Sequence, residues 1–255
     1  MSAAPELSPP GLGSVWRRGD ALFRTAPGIW MLLFTGYALL SLVLLLGGLV
    51  IPMFGAAGLF LSNQAEAGLY LAFLRRLRGF PAEPRTALEA FGSRYWALTL
   101  AKLIQTSVQT VFGLPLLIGL APAGFVGWTT YRGEVLPGPE LILPLLLAGT
   151  GLSLVGVFGL FYFLVAWLFA APLILDRGLE AWPALQHSRR LLNRHPWRVS
   201  WILLVVSTYG LAGLLIAGIG VIGTGAHAWA MLAVLYEDLA GPPEPPPIQR
   251  GEATE

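Results

Sequence analysis

IWMLLFTGYALLSLVLLLGGLVI, residues 29–51, decides the fold class of this chain. The run carries no charged side chain and exceeds the roughly 18 apolar residues that indicate a transmembrane helix. Composition agrees, since 55% of the residues are hydrophobic, only 12% are charged and the mean hydropathy is +0.68. Soluble domains carry about 25% charged residues, so this chain has too few charges to cover a water-facing surface. The sequence predicts an all-α, polytopic bundle of transmembrane helices.

Further apolar stretches follow the first, and they predict about six spans in a single transmembrane domain over residues 14–240. The stretch before Pro172 exceeds one perpendicular span and lacks a polar turn, so we interpret it as one tilted helix. The longest outer loop is expected over residues 121–140. Residues 1–13 and the proline-rich residues 241–255 are predicted to be disordered tails. The predicted spans cover residues 29–51, 56–75, 96–118, 141–171, 199–217 and 220–237.

The arginines predict the orientation of the bundle. Cytoplasmic loops of membrane proteins carry an excess of Lys and Arg. If residues 56–75 cross the membrane, three groups of arginines share one face and only Arg132 lies on the other. If they do not cross, the N-terminal group lies on the face opposite the other two groups. The excess of arginine expected in the cytoplasm therefore favours crossing, which places both termini in the cytoplasm. The groups are Arg17, Arg18 and Arg24; Arg75, Arg76, Arg78, Arg85 and Arg94; and Arg177, Arg189, Arg190, Arg194 and Arg198.

Short amphipathic helices are predicted along the cytoplasmic interface. One begins at Ser14, a favourable N-cap residue, and another covers residues 180–194, with arginines on its polar side. A weak internal repeat accompanies the second helix. In each copy an Arg-Gly pair is followed by a proline that starts a short helix and then by a tryptophan that leads into the next span. The two copies are Arg78-Gly79, Pro84 and Trp96, and Arg177-Gly178, Pro183 and Trp197.

Polar residues in the second and third spans form the main candidate site: Asn63, Glu66, Lys102, Gln105 and Gln109. Their spacing puts those of each span on one helical face. In an antiparallel pair of spans Glu66 comes near the depth of Gln109, with Gln105 within about a turn and Lys102 closer to the cytoplasm. One interpretation is an intramembrane site for a polar ligand, ion or proton. The other is interhelical hydrogen bonding, worth about 0.6 kcal/mol per contact.

The basic side of the segment 180–194 is a second candidate site, for lipid headgroups. Arg189, Arg190 and Arg194 are expected to attract anionic lipids, at about 1 kcal/mol per basic residue near the surface. His187 and His195 lack the tight spacing of metal ligands, and the chain has no cysteine, so we predict no metal site. A stripe of small residues, Gly149, Ser153 and Gly156, favours close helix packing on the fourth span, either within the molecule, which we favour, or between two copies of the chain.

The chain resembles a family of small, uncharacterised bacterial inner-membrane proteins with about six spans, related to the membrane domain found with glycerophosphodiester phosphodiesterases. This resemblance implies the fold but no activity, because no catalytic-domain pattern accompanies it. It covers residues 13–240. The residues that carry it are Gly13, Trp16, Phe23, Pro27, Trp30, Ala171-Pro172-Leu173, Arg177-Gly178, Ala184-Leu185, Ser188, Leu235-Tyr236 and Asp238-Leu239.

Function is therefore predicted only as a class. We expect a non-enzymatic, multi-pass protein of the bacterial inner membrane with a structural, assembly or lipid-associated role. The alternative is a small transporter or channel with its polar site between spans two and three. No cofactor is predicted. Membrane lipids are the expected partners, a contact with other membrane proteins stays open, and no contiguous basic domain indicates nucleic acid.

Overall fold

The computed structural model describes residues 10–81, 83–216 and 218–241. Over these residues the chain is helical and contains no β-strand, as the sequence predicts. Residues 1–9 and 242–255 of the predicted tails lie outside the described residues. The α-helices are α1 (Leu12–Arg24), α2 (Pro27–Val50), α3 (Pro52–Leu77), α4 (Tyr95–Arg132), α5 (Pro139–Ala166), α6 (Ala170–Arg177), α7 (Ala181–Asn193), α8 (Pro196–Ala212) and α9 (Gly220–Ala240), with 3-10 helices at Pro84–Phe91 and Gly213–Leu215.

Within the described residues, four helical stretches are long and apolar enough to cross a membrane: Pro27–Val50, Tyr95–Arg132, Pro139–Arg177 and Pro196–Leu215. Their outward faces carry large apolar side chains, and Val50 at the end of α2 is 81% exposed. A soluble protein rarely exposes such extensive apolar surface. The apolar faces of these helices therefore fit a lipid environment, and the chain is a membrane protein.

Helix α4 is longer than the sequence indicated. It continues to Arg132 with Pro115 and Pro122 inside it, through residues that we expected in the outer loop. No charged residue lies between Lys102 and Arg132, and prolines are tolerated in membrane helices because neighbouring groups satisfy the freed backbone. The connection to α5 is consequently shorter than predicted, and begins at Gly133, whose left-handed φ of 68° ends α4.

Small residues bring α4 and α5 into close contact. A Cβ atom added at Gly119 would lie 2.4 Å from the carbonyl oxygen of Gly149 and 2.4 Å from the hydroxyl of Ser153. One added at Gly156 would lie 2.6 Å from the backbone nitrogen of Leu116. The small-residue stripe thus packs inside the molecule, because only glycine lets the two backbones approach this closely.

The predicted single tilted helix over residues 141–171 is interrupted between α5 and α6. At the break, the Phe169 N–H donates to the Ser188 hydroxyl at 3.2 Å, and this hydroxyl donates to the Ala166 carbonyl at 2.8 Å. The Gln105 amide donates to the Trp167 carbonyl at 3.1 Å. These side chains take the place of hydrogen bonds that an uninterrupted helix would form. The sequence of residues 141–171 alone does not reveal the break, because its partners come from other helices.

The densest part of the core lies around the C-terminal halves of α3 and α9 together with α6 and α7. Its largest fully buried side chains include Trp30, Tyr70, Phe73, Phe169 and Tyr236. Trp30 stacks on Phe73 with 4.3 Å between ring centroids. The ends of the helices that lead into Arg78 and Arg177 are therefore fixed by tertiary contacts.

Helix α1, which was predicted to lie along the headgroups, packs on α9. Val15, Gly19 and Leu22 form its buried face. A Cβ atom at Gly19 would lie 2.6 Å from the Met231 side chain, so glycine is needed where the two helices meet. Arg18 also forms an ion pair with Asp238 at the end of α9.

Candidate functional site

The polar residues predicted in spans two and three surround one cavity. Asn63 and Glu66 from α3, and Lys102, Gln105 and Gln109 from α4, all line a space of about 70 Å³. The α5–α6 break closes the other side. The lining residues there are Phe163, Leu164, Trp167, Leu168 and Ala171.

Two of the amides in this cavity also hold the helices together. Asn63 donates to the Leu98 carbonyl at 3.2 Å, and Gln105 donates to the Trp167 carbonyl at 3.1 Å. Gln64, which the sequence analysis did not select, donates to the Thr99 hydroxyl at 3.0 Å. The interhelical hydrogen bonds that were one of the two interpretations are therefore present. They do not involve Glu66.

The charged pair in the cavity does not form a direct ion pair. Among the described residues, no carboxylate oxygen lies within 4.0 Å of the Lys102 ammonium, Glu66 included. A polar space of this volume is large enough to hold water. A polar bridge of this size can join Glu66 to Lys102.

Helix α7 separates its buried and basic faces. Ala184, Leu185, Ser188, Leu191 and Leu192 are buried against the protein. The exposed residues include Arg189, Arg190 and Arg194, followed by Arg198 at the start of α8. We call these four arginines the basic surface. Trp182, near the start of α7, is exposed as well.

The arginines of the basic surface differ from most other arginines, though not from Arg17, Arg76 and Arg177, in having no carboxylate partner among the described residues. Among the described residues, no carboxylate lies within 4.0 Å of any of the four, whereas seven other arginines form such ion pairs. The paired arginines are Arg18, Arg24, Arg75, Arg78, Arg85, Arg94 and Arg132. The positive charge of the basic surface is thus available to a ligand.

His187 reports the electrostatic field beside the basic surface. Partial burial lowers the pKa of His187 from its ordinary value of 6.5, and the nearby Arg177, Arg194 and Arg190 lower it further. Both causes act by making the charged imidazolium less favourable. The surroundings of α7 therefore disfavour an additional cation and favour an anion.

Arg78 occupies the opposite electrostatic environment. It is only 20% exposed and forms ion pairs with Asp176, which is 5% exposed, and Glu237, which is 16% exposed. Tyr236 donates a further hydrogen bond to Asp176 at 3.0 Å. The hydrogen bonds to Asp176 raise the pKa of Arg78 above its ordinary value despite partial desolvation. From the sequence, Arg78 was only an indicator of topology. Its cluster with Asp176, Glu237 and Tyr236, which joins α3, α6 and α9, was not predicted.

Comparison of the chain with protein-family models, curated proteins and solved structures finds no match. The resemblance to the small inner-membrane family therefore stays a prediction.

Proposed function

We propose that this protein is a non-enzymatic, lipid-associated protein of the bacterial inner membrane, and that its basic surface binds anionic phospholipid headgroups. The observation that carries the proposal is the exposure of four arginines that have no carboxylate within 4.0 Å among the described residues. An unpaired cluster of this kind costs self-repulsion in the free protein. An anionic ligand removes that cost.

Phosphate is the anion that this surface fits best. The guanidinium group offers a planar fork of N–H donors that matches phosphate oxygens. Helix α7 is held against the protein by Leu185, Leu191 and Leu192 while its arginines face outward, as in helices that lie in the headgroup layer. Trp182 and Trp197 are exposed on either side of the arginines. Tryptophans are enriched at the same interface.

Six spans with both termini in the cytoplasm complete the proposal. Helices α3 and α9 have 26 and 21 residues, which meets the roughly 20 that a span requires. Polar residues such as Glu66 and His227 lower their hydropathy, yet both helices pack against α2, whose composition suits a span. If α3 and α9 cross, Arg78 and the basic surface share one face of the membrane.

Binding of headgroups is tested by replacing Arg189, Arg190 and Arg194 with glutamine in protein reconstituted into nanodiscs of mixed phosphatidylglycerol and phosphatidylcholine. At about 1 kcal/mol per arginine, we expect about a hundredfold lower affinity for phosphatidylglycerol, measured as retained lipid by native mass spectrometry. The matched control replaces Arg24, Arg75 and Arg85, which removes equal charge from paired sites. Equal loss in both variants would refute a specific surface.

Orientation is tested by cysteine labelling, for which the absence of native cysteine is ideal. We introduce Gln186→Cys on α7 and, separately, Glu134→Cys in the connection between α4 and α5. An impermeant maleimide applied to intact spheroplasts should label the Glu134→Cys variant. It should label the Gln186→Cys variant only after lysis. Labelling of position 186 from outside contradicts the proposed topology.

Ion or proton transport through the polar cavity is the second candidate function. It is favoured by the presence of Glu66 and Lys102 in one cavity without a direct ion pair. If it is correct, Glu66→Gln abolishes a proton-coupled flux in liposomes while the protein keeps its thermal stability. Unchanged flux in Glu66→Gln removes this candidate.

A further inference from the structure

An open groove lies beside the basic surface, between α5 and α8. Its volume is about 370 Å³, within the roughly 300–1,000 Å³ of small-ligand sites. The lining is mostly apolar and aromatic, with polar groups at a few positions. The lining includes Phe158, Phe161, Leu192, Asn193, Trp197 and Ser200.

The groove exists because the helices on its two sides have different packing partners. Helix α5 packs on α4 and α7, and α8 packs on α9 and α7. Helix α7 lies at the junction and contributes Leu192 and Asn193 to the lining. The aromatic walls are consequently uncovered, since Phe158 is 69% exposed and Trp197 is 89% exposed. A long, flexible apolar ligand suits such a space.

One end of the groove adjoins the basic surface directly. Asn193 and Trp197 line the groove, and their chain neighbours Arg194 and Arg198 are both exposed and, among the described residues, without a carboxylate within 4.0 Å. Arg189 lies one turn before Asn193 on the same face of α7. The rest of the groove extends along the α5 aromatics Phe158 and Phe161. Charge at one end and apolar surface along the remainder match an anionic, amphipathic molecule.

We infer that this groove holds one acyl chain of an anionic glycerophospholipid whose phosphate contacts Arg194 and Arg198. The inference rests on the proposed function and adds to it a defined lipid site in place of a diffuse headgroup layer. A zwitterionic lipid with the same chains fits the apolar part equally well. It lacks the net negative charge that the arginines recognise.

The experiment uses phosphatidylglycerol carrying a diazirine in one acyl chain, incorporated into nanodiscs with the full-length protein. After irradiation, peptide mapping should locate adducts on the α5 and α8 residues of the groove. Ser200→Trp fills the groove, and Thr208→Trp places the same side chain on an exposed part of α8 outside it. We expect about threefold less adduct for Ser200→Trp, because the competing bilayer is itself apolar, and no change for Thr208→Trp. Thermal unfolding checks that both variants are folded.

The outcomes separate this inference from the proposed function. If the arginine variant loses phosphatidylglycerol retention while Ser200→Trp and Thr208→Trp label alike, headgroup binding stands and the groove site is wrong. If Ser200→Trp loses labelling while the arginine variant retains phosphatidylglycerol, the groove binds lipid without headgroup selection and the proposed function is wrong. Equal labelling by diazirine phosphatidylcholine overturns the selectivity for an anionic lipid. Adducts spread over all the helices overturn the site itself.

Discussion

The two regions that follow Arg78-Gly79 and Arg177-Gly178 begin alike and end differently. In both, a helix stops at a glycine with left-handed φ, 91° at Gly79 and 64° at Gly178. A short helix with an early proline follows in both. In the first region Arg78, Arg85 and Arg94 pair with carboxylates. In the second, Arg189, Arg190, Arg194 and Arg198 have no carboxylate within 4.0 Å among the described residues. The arginines of the first region thus serve internal cohesion, and those of the second are open to an external ligand.

The difference shows what positive charge near a membrane can do. A buried arginine with satisfied carboxylates fixes helices relative to one another, and its removal leaves unpaired buried charge. An exposed arginine contributes little to stability. It is free to bind lipid phosphate. The comparison therefore predicts that stability and lipid binding depend on separate arginines.

The largest effect is expected at the paired region. Arg78→Gln leaves Asp176 and Glu237 without their cation and should lower the free energy of unfolding by about 3–5 kcal/mol. The matched control is Arg75→Gln, because the Arg75–Glu89 pair is more exposed and should contribute at most about 1 kcal/mol. Thermal unfolding in detergent measures both. Similar stability in the two variants would contradict the distinction between buried and exposed pairs.

A medium effect is expected from converting the unpaired region into a paired one. Gln186→Glu places a carboxylate one turn before Arg190 and three residues before Arg189, both favourable spacings for an ion pair. Neutralising about one arginine should weaken phosphatidylglycerol binding about fivefold, measured in the same nanodiscs. Gln186→Asn keeps the position neutral and should bind as the parent does. An unchanged affinity in Gln186→Glu means that internal pairing does not determine lipid binding.

The smallest effect is expected at His187. Because its pKa is lowered in the folded protein, the unfolded chain takes up this proton first as the pH falls, so acidification through 6.5 reduces stability. Bound anionic lipid offsets the field of Arg190 and Arg194 and should raise the pKa of His187. An NMR titration in phosphatidylglycerol and phosphatidylcholine nanodiscs measures the change, with His187→Gln assigning the signal. A pKa that is equal in the two lipids indicates that no anion approaches α7.

Long apolar runs made the helices predictable from the sequence. The break between α5 and α6 and the ion-pair cluster around Arg78 were not predictable in this way. Residues 29–51 predict α2 nearly to its ends, because burial of uncharged residues in lipid requires only local hydrogen bonds. The interruption after Ala166 depends on Ser188, which reaches it from another helix. The spacing of Asn63 and Glu66 on α3 and of the polar residues on α4 predicted a shared face. That the α5–α6 break completes their cavity required the packed structure.

The sequence alone determined that the chain is helical and has spans suited to a membrane, because hydropathy and helical periodicity are properties of local stretches. It also indicated which side chains are polar within those stretches. Only the tertiary structure decided which arginines meet a carboxylate, since Arg78 finds Asp176 and Glu237 from distant parts of the chain. Ion pairs depend on distances of a few ångströms between separate helices, and linear order does not specify such distances.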